Sequence, residues 1–145
     1  MRWKDKEVEE HREKSEKDYE EFRKSILGMP AGREMDALVA KKVMGWKIKH
    51  YGGDVFYWKL KGKDIGLVDM WEPSTNIADA WKVVEKFADM PHIFPEIRKS
   101  GVWVCSIWKN DAGKKDFGWI SESHATTASL AICRAALLAV MANEM

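Results

Sequence analysis

The stretch TTASLAICRAALLAVM, residues 126–141, constrains this chain more than any other. Across residues 130–140 every side chain except Arg134 is apolar or small. A helix that is apolar on all sides belongs in the core of a fold. The small residues Ala131, Ala135, Ala136 and Ala139 predict close packing against a sheet or another subunit. Arg134 sits in the middle of this segment, and a fully buried, unpaired guanidinium costs several kcal/mol. Three outlets are open to it: an internal carboxylate such as Asp69, Glu72 or Asp36, a subunit interface, or an anionic ligand.

The opposite end of the chain has the opposite character. Residues 2–27 alternate acidic and basic side chains, with i, i+4 pairs such as Glu10 with Lys14 and Glu20 with Lys24. Such pairs support an exposed helix by a few tenths of a kcal/mol each. The apolar stripe is thin: Val8, Tyr19, Phe22 and Ile26, with Ser15 among them and Trp3 near the start. So narrow a stripe predicts a helix that needs docking, on its own domain or on a second copy. Gly28 and Pro30 then break it. The chain therefore divides into a charged helical arm, 1–28, and a domain, 29–145.

Within the domain, residues 31–46 read as a helix with Met35, Leu38, Val39 and Val43 on one face, stopped by Gly45. Residues 46–50, 55–60 and 65–71 read as strands joined by hairpin turns. Bulky residues on both faces of VFYWKL predict a strand covered on both sides. A third helix opens at WEPST, capped by Ser74 or Thr75, with Asp79 in its first turn and Ile77, Trp81, Val84 and Phe87 or Ala88 on its apolar face. Residues 90–101 carry two prolines and read as an irregular connection. Strands at 102–108 and 117–123 and the final helix complete the chain. Hairpin-length turns predict an α+β fold: a largely antiparallel sheet of about five strands packed with helices, sandwich-like, after the long charged helix.

The chain has 145 residues, 24 basic against 23 acidic, for a net charge of +1. That balance argues against a sequence-specific nucleic-acid binder and against an acidic mimic of DNA. Eight tryptophans are many for this length. They read first as core or subunit contact and second as platforms for ligand stacking. Cys105 and Cys133 lack metal-ligand spacing and read as small buried thiols of a cytoplasmic protein. The charged amino terminus is not a secretory signal, and no apolar run reaches the roughly 18 residues of a membrane span.

Catalytic signatures are sparse. His11, His50, His92 and His124 are scattered without metal-ligand spacing. Gly52-Gly53-Asp54 is not a phosphate loop, and no nucleophile elbow occurs. His124 lies near Ser121, Ser123, Thr126 and Thr127, but hydroxyls just before a helix are usually caps, and sequence proximity is not triad geometry. The reading is therefore non-enzymatic, without cofactor or metal. What remains is an anion seat at the start of the last helix. Thr126, Thr127 and Ser129 furnish that terminus, Trp119 or Phe117 would stack a base, and Arg134 would hold phosphate. The plain alternative is capping plus core aromatics. The same two readings apply to Trp71 and Ser74 at the start of the third helix.

Three segments together, AGREMDALVAKKVMGWK (31–47), PSTNIADAWKVVEKF (73–87) and ATTASLAICRAALLAVM (125–141), resemble the phage ABA-sandwich domain family. The resemblance covers residues 31–141, in the family's order, and implies a small phage or prophage protein with an α/β/α layered fold. Small phage proteins without a catalytic motif are often counter-defence factors. The Thoeris anti-defence sponges, which sequester cyclic ADP-ribose-type signals between subunits, are similar in having a long amino-terminal helix and an Arg in the last helix. By that analogy the expected function is sequestration of a cyclic nucleotide immune signal. The expected assembly is a homo-oligomer through the first and last helices. Its candidate contacts are Arg134, Thr126, Thr127, Trp119, Phe117, His124, Trp71 and Ser74. The alternatives are a protein-binding inhibitor of a defence nuclease, acting through the charged arm, and an accessory phage protein without ligand.

Overall fold

The computed structural model describes residues 3–110 and 118–144. Helix α1 (Trp3–Gly28) opens the chain. Among the described residues it docks through its last turns, where Ile26 is 1% exposed and Phe22 and Leu27 pack beside it. Helix α2 (Arg33–Leu38) runs on into a π-helical turn, Val39–Val43, closed by Gly45 at φ 72°. A wide π turn forces a local misfit that an uninterrupted α-helix lacks. Here it is held by Met44 N–H donating to the Val39 carbonyl and Trp46 N–H to that of Ala40.

Six strands follow among the described residues, in two separate three-stranded antiparallel sheets rather than one sheet of about five strands. Strands β1 (Lys47–His50), β2 (Phe56–Leu60) and β3 (Lys63–Leu67) form the first, in chain order. The expected third strand ends at Leu67, and a 3-10 turn, Val68–Met70, takes its remainder. Strands β4 (Ile93–Ser100), β5 (Val102–Lys109) and β6 (Gly118–Ala125) form the second sheet. The expected irregular connection is thus largely strand β4. Its Pro95 is tolerated because β4 is an edge strand, where a missing N–H need not break a ladder.

Helix α3 (Ile77–Ala88) lies between the sheets in the chain, and α4 (Ala128–Glu144) closes it. The α3 cap is Asn76, whose side chain accepts from Ala78 and Asp79 N–H, and not Ser74 or Thr75. Its buried face is Ala80, Val83, Val84 and Phe87, while Ile77 and Trp81 stay half exposed. The i, i+3, i+4, i+7 pattern is kept but rotated to one side of the expected stripe.

Helix α4 is the hub. It packs on β5 and β6, α3, the π turn and the end of α1. Ala131, Ala135, Ala136 and Ala139 are 0–2% exposed, as are Ile132, Leu137 and Leu138. The alanines let neighbouring backbones approach, and Ser121 Oγ reaches across to donate to the Ala135 carbonyl at 2.7 Å. Only one face of the first sheet is covered. Trp58 is buried on the core side, but Lys47, Lys49 and Lys59 look outward, so β2 is not covered on both sides. No helix among the described residues is long and apolar enough to cross a membrane.

Candidate functional site

The candidate residues fall into two groups. In the first, strand β6 delivers His124 and the bend at Thr126 and Thr127 feeds α4. Thr127 Oγ1 accepts from Leu130 N–H at 3.2 Å, so its hydroxyl caps the helix. Thr126 is exposed. Arg134 is half-buried and pairs with no carboxylate among the described residues. Its Nη1 donates to the His124 carbonyl at 3.3 Å and its Nη2 to the Met29 carbonyl at 3.1 Å. Its Nε is buried without a partner. The internal carboxylates expected for it are engaged elsewhere: Asp69 pairs with Arg33, and Asp36 accepts from Ser74 N–H. The guanidinium is thus a tie between the strand leading into α4 and the loop after α1. Phe117 lies outside the described residues, and Trp119 is described by its backbone, which pairs with Trp108 in the β5–β6 ladder.

The His124 side chain faces away from this tie. Its Nε2 lies 3.4 Å from Glu122 Oε2, on the outer face of the second sheet. Glu122 Oε1 also accepts from Ser106 Oγ at 2.8 Å and from Arg98 Nη2 at 3.1 Å. Burial pushes the Glu122 carboxyl up, but the bonds from Ser106, His124 and Arg98 together hold it below its ordinary value. The hydroxyl in this cluster donates to a carboxylate and not to an imidazole, which is not the arrangement that activates a nucleophile. Both thiols are buried. Cys105 is pushed up to about 12 by desolvation, and Cys133 is also raised, so neither is a reactive thiolate at neutral pH.

The second group is built around Trp71 and Ser74, and it adjoins a cavity. Ser74 N–H donates to Asp36 Oδ1 at 2.8 Å, and Gly32 N–H donates to Ser74 Oγ at 2.9 Å. Trp71 Nε1 donates to the Asp36 carbonyl at 3.1 Å. These bonds lock the start of α2 onto the segment before α3. Trp46 packs edge-on against Trp71 at 4.6 Å and lies 6.4 Å from Trp58. Beside this aromatic cluster is a cavity of about 260 Å³, walled by Trp58, Trp71, Ala37 and Val68. Asp36, Glu72 and the Arg33–Asp69 ion pair supply its polar lining.

Asp36 is the perturbed group here. Desolvation raises its carboxyl above the ordinary value, the Ser74 bonds work against that, and Glu72 and Asp79 add to the rise. A carboxylate displaced by desolvation and by like charges, at the wall of a cleft, makes Asp36 a candidate for a functional role there. Of the sequence candidates, Trp71 lines this cavity, while Ser74 stands outside the lining and is joined to it through Asp36. Trp58, which the sequence marks only as a strand residue, and Arg33 line it as well. The sequence offers Asp36 only as a partner for Arg134. No local signal brings Asp36 to Ser74, because the two are 38 positions apart. Among the described residues no group of His, Cys, Asp and Glu could hold a metal ion.

Residues 37–137 match the model of the phage ABA sandwich domain. No curated protein and no solved structure matches the chain.

Proposed function

The chain belongs to the phage ABA sandwich domain family, and on that premise we propose that it is a phage-encoded, non-enzymatic counter-defence protein that captures a nucleotide-type immune signal. The observation that carries this reading is the cavity of about 260 Å³ with Trp58 and Trp71 in its walls. Indoles stack nucleobases, at roughly 1–3 kcal/mol per base. The volume lies just below the roughly 300–1,000 Å³ of pockets for drug-sized ligands, so it suits one base or base-and-sugar unit and not a whole cyclic nucleotide.

The charges set the orientation. Asp36, Asp69 and Glu72 outnumber Arg33 in the lining, so a phosphate inside would be repelled. Carboxylates do accept from base amino groups and from ribose hydroxyls. The base end therefore enters, and the phosphates stay at the mouth. There the Arg33 guanidinium, with 83% of its side chain exposed, would exchange Asp69 for a phosphate oxygen. This moves the ligand seat from the start of α4, where Arg134 is tied to two carbonyls, to the cleft between α2 and the segment before α3. The non-enzymatic part of the reading is supported by the Ser106–Glu122–His124 arrangement, in which the hydroxyl does not meet the imidazole.

The test is a thermal-shift panel of cyclic ADP-ribose-type and cyclic di- and trinucleotides on the full chain. A captured ligand raises the melting temperature, because it binds only the native state. Heating the complex should release the nucleotide intact, as seen by chromatography. Absence of any shift across the panel would sink the proposal, and recovery of cleaved product would replace it with an enzyme.

A further inference from the structure

A second cavity, of about 460 Å³, shares no lining residue with the tryptophan cavity. It opens where the π turn, the end of α3, the start of β4 and the later turns of α4 come together. Buried Val43, Phe87 and Ala139 form its floor, and half-buried Met90, Ile93 and Ile120 form its sides. Close-packed interiors leave few voids larger than a water molecule. A hollow of this size falls instead within the roughly 300–1,000 Å³ of small-molecule sites.

Two backbone irregularities edge it. The π turn supplies Lys42 and Val43 to the lining. His92, between the lining residues Pro91 and Ile93, has φ 64°, the left-handed region that residues other than glycine seldom enter. The Asn110 N–H holds it there by donating to the His92 carbonyl at 2.9 Å. π turns and strained backbone both concentrate at functional sites.

The chemistry of the lining selects the occupant. Among the described residues it holds two lysines, Lys42 and Lys109, and no carboxylate, the reverse of the acidic lining around Trp58 and Trp71. Both lysines are exposed and stand at the mouth. Lys109 is the direct partner of Ile93 across the β4–β5 ladder, so its stem lies along the apolar side and its ammonium reaches water. Apart from the lysines, the lining side chains offer no hydrogen-bond donor or acceptor. A polar group carried inside would lose its bonds to water without replacement.

We propose that this cavity binds an amphipathic carboxylate of the fatty-acid class: a straight acyl chain lies against Phe87, Met90 and Ile93, and Lys42 and Lys109 hold the carboxylate at the mouth. Nothing in this site requires a nucleotide, and it stands apart from the reading of the tryptophan cavity.

The experiment is isothermal titration calorimetry of the full chain with butanoate, hexanoate, octanoate and decanoate, each below its micelle-forming concentration. Each added methylene should tighten binding about fourfold until the chain fills the cavity. Octanol should bind several-fold more weakly than octanoate. Lys42→Gln combined with Lys109→Gln should erase that difference and leave octanol binding unchanged, because it removes the charges and spares the walls. Met90→Trp, which fills the hollow, should weaken both ligands at least tenfold with an unchanged far-ultraviolet circular dichroism spectrum. Affinity independent of chain length, octanoate binding that survives the double lysine variant undiminished, or no heat with any member of the series overturns the proposal. So does flotation of the unmodified chain with phosphatidylglycerol vesicles that the lysine variant loses, which would assign the two lysines to a membrane surface.

Discussion

Arg134 and Met29 stand 105 positions apart in the chain, yet the Arg134 Nη2 donates to the Met29 carbonyl at 3.1 Å. With Nη1 on the His124 carbonyl, one side chain ties the loop after α1 and the end of β6 to the middle of α4. Gly32, three positions beyond Met29, is tied by Ser74 Oγ. The short loop that joins the charged helix to the domain is thus clamped at both ends. One clamp comes from the core helix and the other from the segment before α3.

Arg134→Ala should cost about 2–4 kcal/mol of unfolding free energy, since it strands two carbonyls and empties part of a packed site. Arg134→Lys should cost less, because an ammonium still reaches one carbonyl. Urea denaturation of both variants checks this order. Nucleotide capture by the Lys variant should be unchanged if the seat is the tryptophan cavity.

Asp36 sets a pH dependence with a definite sign. Its folded carboxyl is raised above the ordinary value of 3.8, so the native state holds the proton more tightly than the unfolded chain. This group therefore penalises stability as pH rises from that value through the folded one, and the penalty is full above it. Asp36→Asn keeps an oxygen to accept from Ser74 N–H and removes the penalty. The variant should match or exceed the parent in stability at pH 7. Its advantage should vanish in acid, as read by melting temperature across pH 3–8.

Glu122 runs the other way. Its carboxyl is held below the ordinary value of 4.5, so it contributes stability above that value which is lost as pH falls through the lowered one. Glu122→Gln should be less stable than the parent at neutral pH, and the two curves should converge in strong acid.

Trp58 is 1% exposed and its Nε1 has no hydrogen-bond partner. Trp58→Phe loses volume but removes an unsatisfied donor, whereas Trp58→Ala loses the whole ring, at about 3–5 kcal/mol. The Phe variant should fold with a much smaller loss than the Ala variant, measured by calorimetry. It should still weaken nucleotide capture where Leu138→Val, a change on α4 outside the cavity lining, should not.

Asn76 caps α3 through two N–H groups. Asn76→Ala should cost about 1 kcal/mol, while Thr75→Ala should cost little. Equal losses in thermal melts would return the cap to the segment where the sequence placed it.

Much of the architecture was readable because periodicity and composition report burial directly. The all-apolar face of α4 required a central position, the alternating charges of α1 required exposure, and Gly45 stopped the second helix as expected. The three quoted segments pointed to the family whose model matches residues 37–137. Strand β4 was not readable: its Pro95 and the Pro91 just before it argue for a loop, and only the strand's place at a sheet edge makes Pro95 harmless. The split into two sheets was hidden because local signals fix strands and turns but not which strands pair across a helix.

The site divides along the same line. The sequence by itself determined that a tryptophan and hydroxyl cluster opens the third helix, and that Arg134 must find an acceptor in a segment with none of its own. Only the tertiary structure decided which acceptor: two main-chain carbonyls, one of them more than a hundred residues away, and not a carboxylate. It also decided that Asp36, Trp58 and Trp71 enclose one cavity. Burial is a property of a segment and leaves its mark in the order of residues. A hydrogen bond or a cavity wall is a property of two segments brought together, and it exists only once the core has fixed their distance.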